Sequence, residues 1–277
     1  MLPRWDAFSK WVIPRRSVIL PRWEVFEPLK EKARGLLQAE VGDLPKLIHA
    51  WDNKLASYGG DSSKSEWVTF RPLRVGREED WSDWLGFLIE TSKTGVLAAR
   101  MFGRTHGALT SKVCREAVAG DYRADLLIYW ENGGVAHLEV KIDDPNLEKT
   151  FAASDAFEAE FGNCGEWRNF ILMKESARSR WSTITRSVPR GKVSDIVWGD
   201  VAVGLRQALW RGGETVGWNA WAYAFLGAIE EKILALGRFE ETLENGTGLS
   251  RLFLLKQRRD LFAEGMRDGS RERNIPH

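Results

Sequence analysis

Asp125, Glu139 and Lys141 are charges written into "YRADLLIYWENGGVAHLEVKI", residues 122–142, where two strongly apolar runs flank a turn. Two carboxylates about 4 Å apart repel by roughly 4 kcal/mol at an effective dielectric of 20, and one ammonium offsets only part of that. A cluster of this kind needs a cation. A hard divalent ion such as Mg²⁺ or Mn²⁺ takes oxygen ligands, often just one or two protein carboxylates together with water and a substrate phosphate. Held by Asp125 and Glu139, it would lower the pKa of a bound water, polarise a phosphoryl oxygen and orient an in-line attack. Lys141 would place that water or stabilise charge growing on the phosphate.

The three charges cooperate only if the hairpin register brings them to one face. The turn "ENGG" suits a three-residue loop, a type I turn followed by a left-handed residue, with Glu131, Asn132 and Gly133 in those positions. Trp130 then faces Gly134, and Asp125 lies opposite Glu139. Side chains alternate along a strand, so Lys141 and His137 share the Glu139 face. A two- or four-residue loop, or a bulge at Asp125, would instead turn Asp125 to the other face.

Elements on either side must position this hairpin. "REEDWSDWLGFLIETS", from residue 77, sets Trp81, Trp84, Leu85, Leu88 and Ile89 at helical spacing, with Glu78 and Glu79 in the first turn. After the hairpin, "NLEKTFAASDAFEAEFG" predicts a helix closed by Gly162, "RNFILM" at 168–173 a buried strand, and "SDIVWGDVAVGLRQALW" a strand passing into a helix capped near Gly199 or Asp200. "WNAWAYAFLGAIEEKILALGRF" is a longer helix, and the charged end from Lys256 to His277 is a helix fraying into a tail. Helices flanking a few doubly buried strands predict an α/β fold around one central mixed β-sheet.

Upstream, "LPKLIHAWDNKLASYG" at 44–59 has helical spacing ending at Gly59 and Gly60, and "GDSSKSE" is a loop. "LPRWDAF" at 2–8 returns as "LPRWEVF" at 20–26, marking two helix starts in a modestly basic arm. The expected organisation is a helical N-terminal extension over 1–70, a core over 71–255 and a charged C-terminal helix or tail over 256–277.

Forty basic and thirty-nine acidic side chains nearly cancel, so affinity for a polyanion must come from where charge sits. The sharpest local bias is "KESARSRWSTITRSVPRGK" at 174–192, with Lys174, Arg178, Arg180, Arg186, Arg190 and Lys192 against Glu175 alone. This stretch is a candidate contact for a nucleic-acid backbone, with Trp181 placed to stack on a base. Cys114 and Cys164 are too few for a disulfide framework and form no zinc motif, which points to a reducing, cytoplasmic setting. No apolar run approaches the roughly 20 residues that span a bilayer.

An Asp, a hairpin and then Glu-x-Lys resembles the PD-(D/E)xK nuclease superfamily, the restriction-endonuclease-like fold. Asp125 matches its metal-binding Asp, Glu139 the second acidic ligand and Lys141 the catalytic lysine. "EEDWSDWLGFLIE" is similar to the Glu-x-x-aromatic-Ser-x-x-Leu pattern of some bacterial members, which makes Glu78 the helix carboxylate completing the site, with Glu79 as a near substitute. Where that group tends to carry a Gln in the helix after the lysine strand, this chain has Lys149. The resemblance spans roughly residues 75–230. It implies a Mg²⁺- or Mn²⁺-dependent nuclease acting on DNA, with a homodimer as a common assembly; the rival reading is a module of the same fold that binds nucleic acid or a partner without cutting.

Overall fold

The computed structural model describes residues 23–67, 75–103, 109–142, 149–162, 166–187, 193–237 and 248–267. The first copy of the "LPRW" repeat, Arg190, Lys192 and the last ten residues lie outside them. As expected, the architecture is α/β, with a five-stranded mixed sheet flanked by helices and a helical N-terminal region.

The strands are β1 (Thr110–Ala119), β2 (Tyr122–Trp130), β3 (Val135–Val140), β4 (Trp167–Met173) and β5 (Ser194–Val197), arranged in chain order. β1, β2 and β3 pair antiparallel through hairpins, and β3, β4 and β5 pair parallel. β3 therefore stands at the centre, where the pairing changes sense. Each of its six residues is buried, as a strand covered on both faces requires.

Helix α3 (Glu78–Thr91), α4 (Val96–Phe102), α7 (Trp198–Arg211) and α8 (Val216–Ala228) share the main core with Leu126, Ile128, Leu138, Val140, Phe170 and Leu172 of the sheet. On the other face, α5 (Lys149–Phe161) packs Phe157 near Leu127, while Trp181 of α6 (Arg178–Ile184) joins Ile171 and Met173. Trp81, Leu85, Leu88 and Ile89 of α3 are buried, as their spacing predicts, with Trp84 packed against the same core.

α1 (Trp23–Glu40) and α2 (Leu44–Lys54) pack against the C-terminal helix α9 (Leu249–Gly265), which also packs on α7. Leu44, Trp51 and Leu55 belong to the same buried cluster as Leu261 and Phe262, so apolar packing runs continuously from the N-terminal helices through the core to α9.

Three elements appear that the sequence pattern does not announce: β1, α4 and α6. β1 is an edge strand whose buried hydrophobics are Val113 and Ala119, so it carries little of the apolar signal that marks β2 and β3. α7 begins at Trp198 with Val197 as its cap, ahead of the expected Gly199 or Asp200. Asp200 sits in the first turn, where its charge favours the helix dipole.

Candidate active site

The hairpin turns as the sequence predicts. Trp130 N–H donates to the Gly134 carbonyl at 3.2 Å, Gly133 N–H donates to the Trp130 carbonyl at 3.1 Å, and Gly133 has φ of 86°. Only a residue tolerant of the left-handed region closes this loop without strain. The resulting register pairs Tyr129 with Val135 and continues to Leu126 with Leu138, which is the register that sets Asp125 against Glu139.

Beyond Leu126 the backbone ladder stops and side chains replace it. Val140 N–H donates to Asp125 Oδ2 at 2.7 Å, and Ile142 N–H donates to Glu78 Oε1 at 2.6 Å. Lys141 N–H, pointing the other way, donates to the Leu172 carbonyl of β4 at 2.7 Å. Two carboxylates, one from β2 and one from the first turn of α3, thus finish the side of β3 that β2 abandons. Glu78 reaches the hairpin because the apolar stripe of α3 fastens that helix across the sheet.

Glu139 sits over a buried histidine and beside Lys141. Its Oε1 lies 3.3 Å from His137 Nε2 and its Oε2 lies 3.8 Å from Lys141 Nζ. His137 is fully buried and stacks on Phe157 with centroids 4.8 Å apart. Its other nitrogen, Nδ1, lies 3.1 Å from Asn169 Oδ1. The Trp167 indole N–H donates to that same oxygen at 3.0 Å and Asn169 Nδ2 donates to Glu158 Oε2 at 3.3 Å, so the amide is oriented from both sides. Nδ1 must then be a donor, and Nε2 is the ring nitrogen that faces Glu139. Asn169, Trp167 and Glu158 are site residues that the sequence alone did not single out. A lone Asn inside the apolar run "RNFILM" was the available signal, and the parallel register sets it beside His137.

Burial pushes the Asp125 carboxyl up to about 6; the charges of Glu139 and Glu78 push the same way, against the Val140 N–H and Lys141. Three carboxylates and one ammonium therefore act on one another at the end of β3. Among the described residues no set of three or more His, Cys, Asp or Glu side chains has the arrangement of a metal cage. The donors suit instead a hard ion that takes one or two carboxylates and fills its remaining positions with water and phosphate. Asp125 and Glu139 are the residues that would hold such an ion.

The remaining candidates fall away from this cluster. Glu79 is exposed and pairs with Arg123 at 3.9 Å. Lys149 is the exposed first residue of α5. Arg178 bonds Asp195 at 2.8 Å, whereas Arg180 and Arg186 are exposed on and just after α6. The expectation for Trp181 is overturned: its ring is 2% exposed and stacked on Phe151 at 5.0 Å, so it fills the core and cannot receive a base.

No protein-family model, no curated protein and no solved structure matches this chain.

Proposed function

We propose that this protein is a divalent-metal-dependent nuclease of the PD-(D/E)xK kind, hydrolysing phosphodiester bonds, with DNA preferred over RNA by analogy with that fold. The observation that carries the reading is the meeting of Asp125, Glu139, Lys141 and Glu78 at the end of β3, with the Asp125 carboxyl pushed up by burial and by like charge. A bound Mg²⁺ or Mn²⁺ would supply Lewis acidity and a water of lowered pKa. The chain does the rest. Asp125 and Glu139 offer hard oxygen donors, and the Val140 amide sets the position of the first. Lys141 stands beside Glu139, where its ammonium would meet a phosphate oxygen as a fixed charge that needs no reorganisation during reaction. Glu78 ties the first turn of α3 to the strand that carries Lys141.

The nucleic-acid partner and a homodimer that would cut both strands belong to this proposal, as does a reducing, cytoplasmic setting inferred from cysteine usage. No helix of the described residues is long and apolar enough to cross a membrane.

A second reading, a module that binds nucleic acid or a partner without cutting, draws on one observation: Asp125 and Glu78 each already serve a backbone amide at the end of β3. Cleavage assays separate the two. Plasmid, single-stranded DNA and RNA are incubated with Mg²⁺ or Mn²⁺ and wild type, Asp125→Ala or Lys141→Ala. Metal-dependent cutting that disappears in both folded variants supports the enzyme; a wild type that cuts none of the three favours the binding module.

A further inference from the structure

A cleft of about 280 Å³ opens beside the cluster, between the entry to α3 and the turn that follows α8. Arg77, Glu78 and Trp81 line one side, Ile142 another, and Lys232 closes it. The Lys232 ammonium donates to the Val75 carbonyl and lies 5.9 Å from the centre of the Trp81 ring. It is carried by a π-helical turn, Ile229–Ile233, an irregularity often found at functional sites. Two cations thus face a space with an aromatic wall. Among the described residues the one carboxylate lining it, Glu78, already accepts the Ile142 N–H. The balance of charge therefore favours an anion, and the volume suits a single nucleotide unit rather than a stacked duplex.

Ile142 is the residue after Lys141, so the cleft begins where the candidate catalytic strand ends. We propose that this cleft is a substrate subsite that holds the phosphate of the nucleotide next to the bond being cut, with Arg77 and Lys232 as its ligands. The inference rests on the nuclease reading for the identity of its ligand and extends it: the chain would grip a polynucleotide strand at two successive phosphates, one at Lys141 and one at Arg77 and Lys232. Arginine forks and lysine point charges are the usual partners of such oxyanions.

The test is calorimetric titration of wild type, Arg77→Gln and Lys232→Gln with thymidine 3′,5′-bisphosphate in EDTA, with a parallel Mn²⁺ titration of the same proteins in metal-free buffer. Binding to wild type, weakened about tenfold or more in each variant while Mn²⁺ binding is unchanged, is the expected result. A wild type that does not bind the bisphosphate, or variants that bind it as wild type does, overturns the subsite. Lys232 also holds the Val75 carbonyl, so Arg77→Gln, whose side chain is exposed, decides the matter if Lys232→Gln unfolds. Bisphosphate binding without Mn²⁺ binding keeps the cleft and sinks the metal reading; Mn²⁺ binding without bisphosphate binding does the reverse.

Discussion

Two groups of buried charge in this molecule are built from similar parts and come out opposite. Beneath α7, Asp61 and Glu230 share the guanidinium of Arg206. Its Nε and Nη2 donate to Glu230 at 2.7 and 2.8 Å, and its Nη1 and Nη2 donate to Asp61 at 2.8 and 3.3 Å. The Arg206 group lies 4.8 Å from the centre of the Trp51 ring and 3.9 Å from that of Phe262, and Arg258 adds a second positive charge close to Glu230. Burial works against both carboxylates: at Asp61 Arg206 outweighs it and holds that carboxyl below its usual range, whereas at Glu230 burial outweighs Arg206 and pushes the carboxyl up. At the end of β3, burial meets no such fork. Lys141 reaches Glu139 at 3.8 Å, Asp125 receives one amide, and its carboxyl rises to about 6. The interior network is supplied with its own cations and serves the fold. Among the described residues the site at β3 sets one ammonium, Lys141, against Asp125, Glu139 and Glu78, which on the proposed reading is the condition for taking a cation from solution.

The largest effect should come from breaking the balanced group. Arg206→Met leaves two carboxylates buried without their partner and should cost about 3–5 kcal/mol by urea denaturation, enough to unfold a marginal domain. The same kind of change at the other group should act on rate instead. Lys141→Ala should lower the turnover number of metal-dependent cleavage by about 10²–10³, roughly 2.7–4 kcal/mol of transition-state stabilisation, with little change in the denaturation midpoint. A large loss of stability on removing Lys141 would erase the distinction between the two groups.

Asp125→Asn sharpens the comparison through pH. A carboxyl whose folded pKa is raised stabilises the fold below its unfolded value near 3.8, and that stability is lost as pH rises through about 6. The asparagine keeps an acceptor for the Val140 amide and never ionises. In metal-free buffer the variant should therefore be more stable than wild type by about 1–3 kcal/mol near pH 8 and no more stable near pH 4, measured by denaturant midpoint at each pH. A variant that is less stable at both pH values would mean that Asp125 serves the fold as Asp61 does.

The smallest effect concerns the basic surface. Arg180 and Arg186 are exposed, so changing both to Gln should reduce the salt dependence of DNA binding by about one unit of slope for each phosphate that the arginines neutralise, at under about 1 kcal/mol of affinity. An unchanged salt slope would remove α6 from the nucleic-acid surface.

Much of the site was legible because the hairpin is local. "ENGG" fixes a turn, the turn fixes the register, and the register carries Asp125 to Glu139. Glu78 was legible too, as a carboxylate in the first turn of a helix with an apolar stripe. What sequence could not give were contacts made by folding distant segments together. "GDSSKSE" reads only as a loop, and Asp61 within it is buried because Arg206, far along the chain, comes to meet it. Trp181 stands among arginines and looks like a base-stacking residue; Phe151 from the preceding helix claims its face. His137 could be placed on the Glu139 side of the strand, but its burial depends on Phe157 of α5 and on Asn169, which the parallel β3–β4 pairing sets beside it.

The proposal that Asp125 and Glu139 hold a divalent cation at the end of β3 is tested most directly by thermal melting of wild type and Asp125→Asn at about pH 7.5 in EDTA and in rising Mg²⁺ or Mn²⁺. Linkage predicts that wild type gains about 2.7 kcal/mol at a metal concentration one hundred times its dissociation constant, while Asp125→Asn, already relieved of the repulsion, gains little. A wild-type melting temperature that neither metal moves, or an equal rise in both proteins, would contradict that claim.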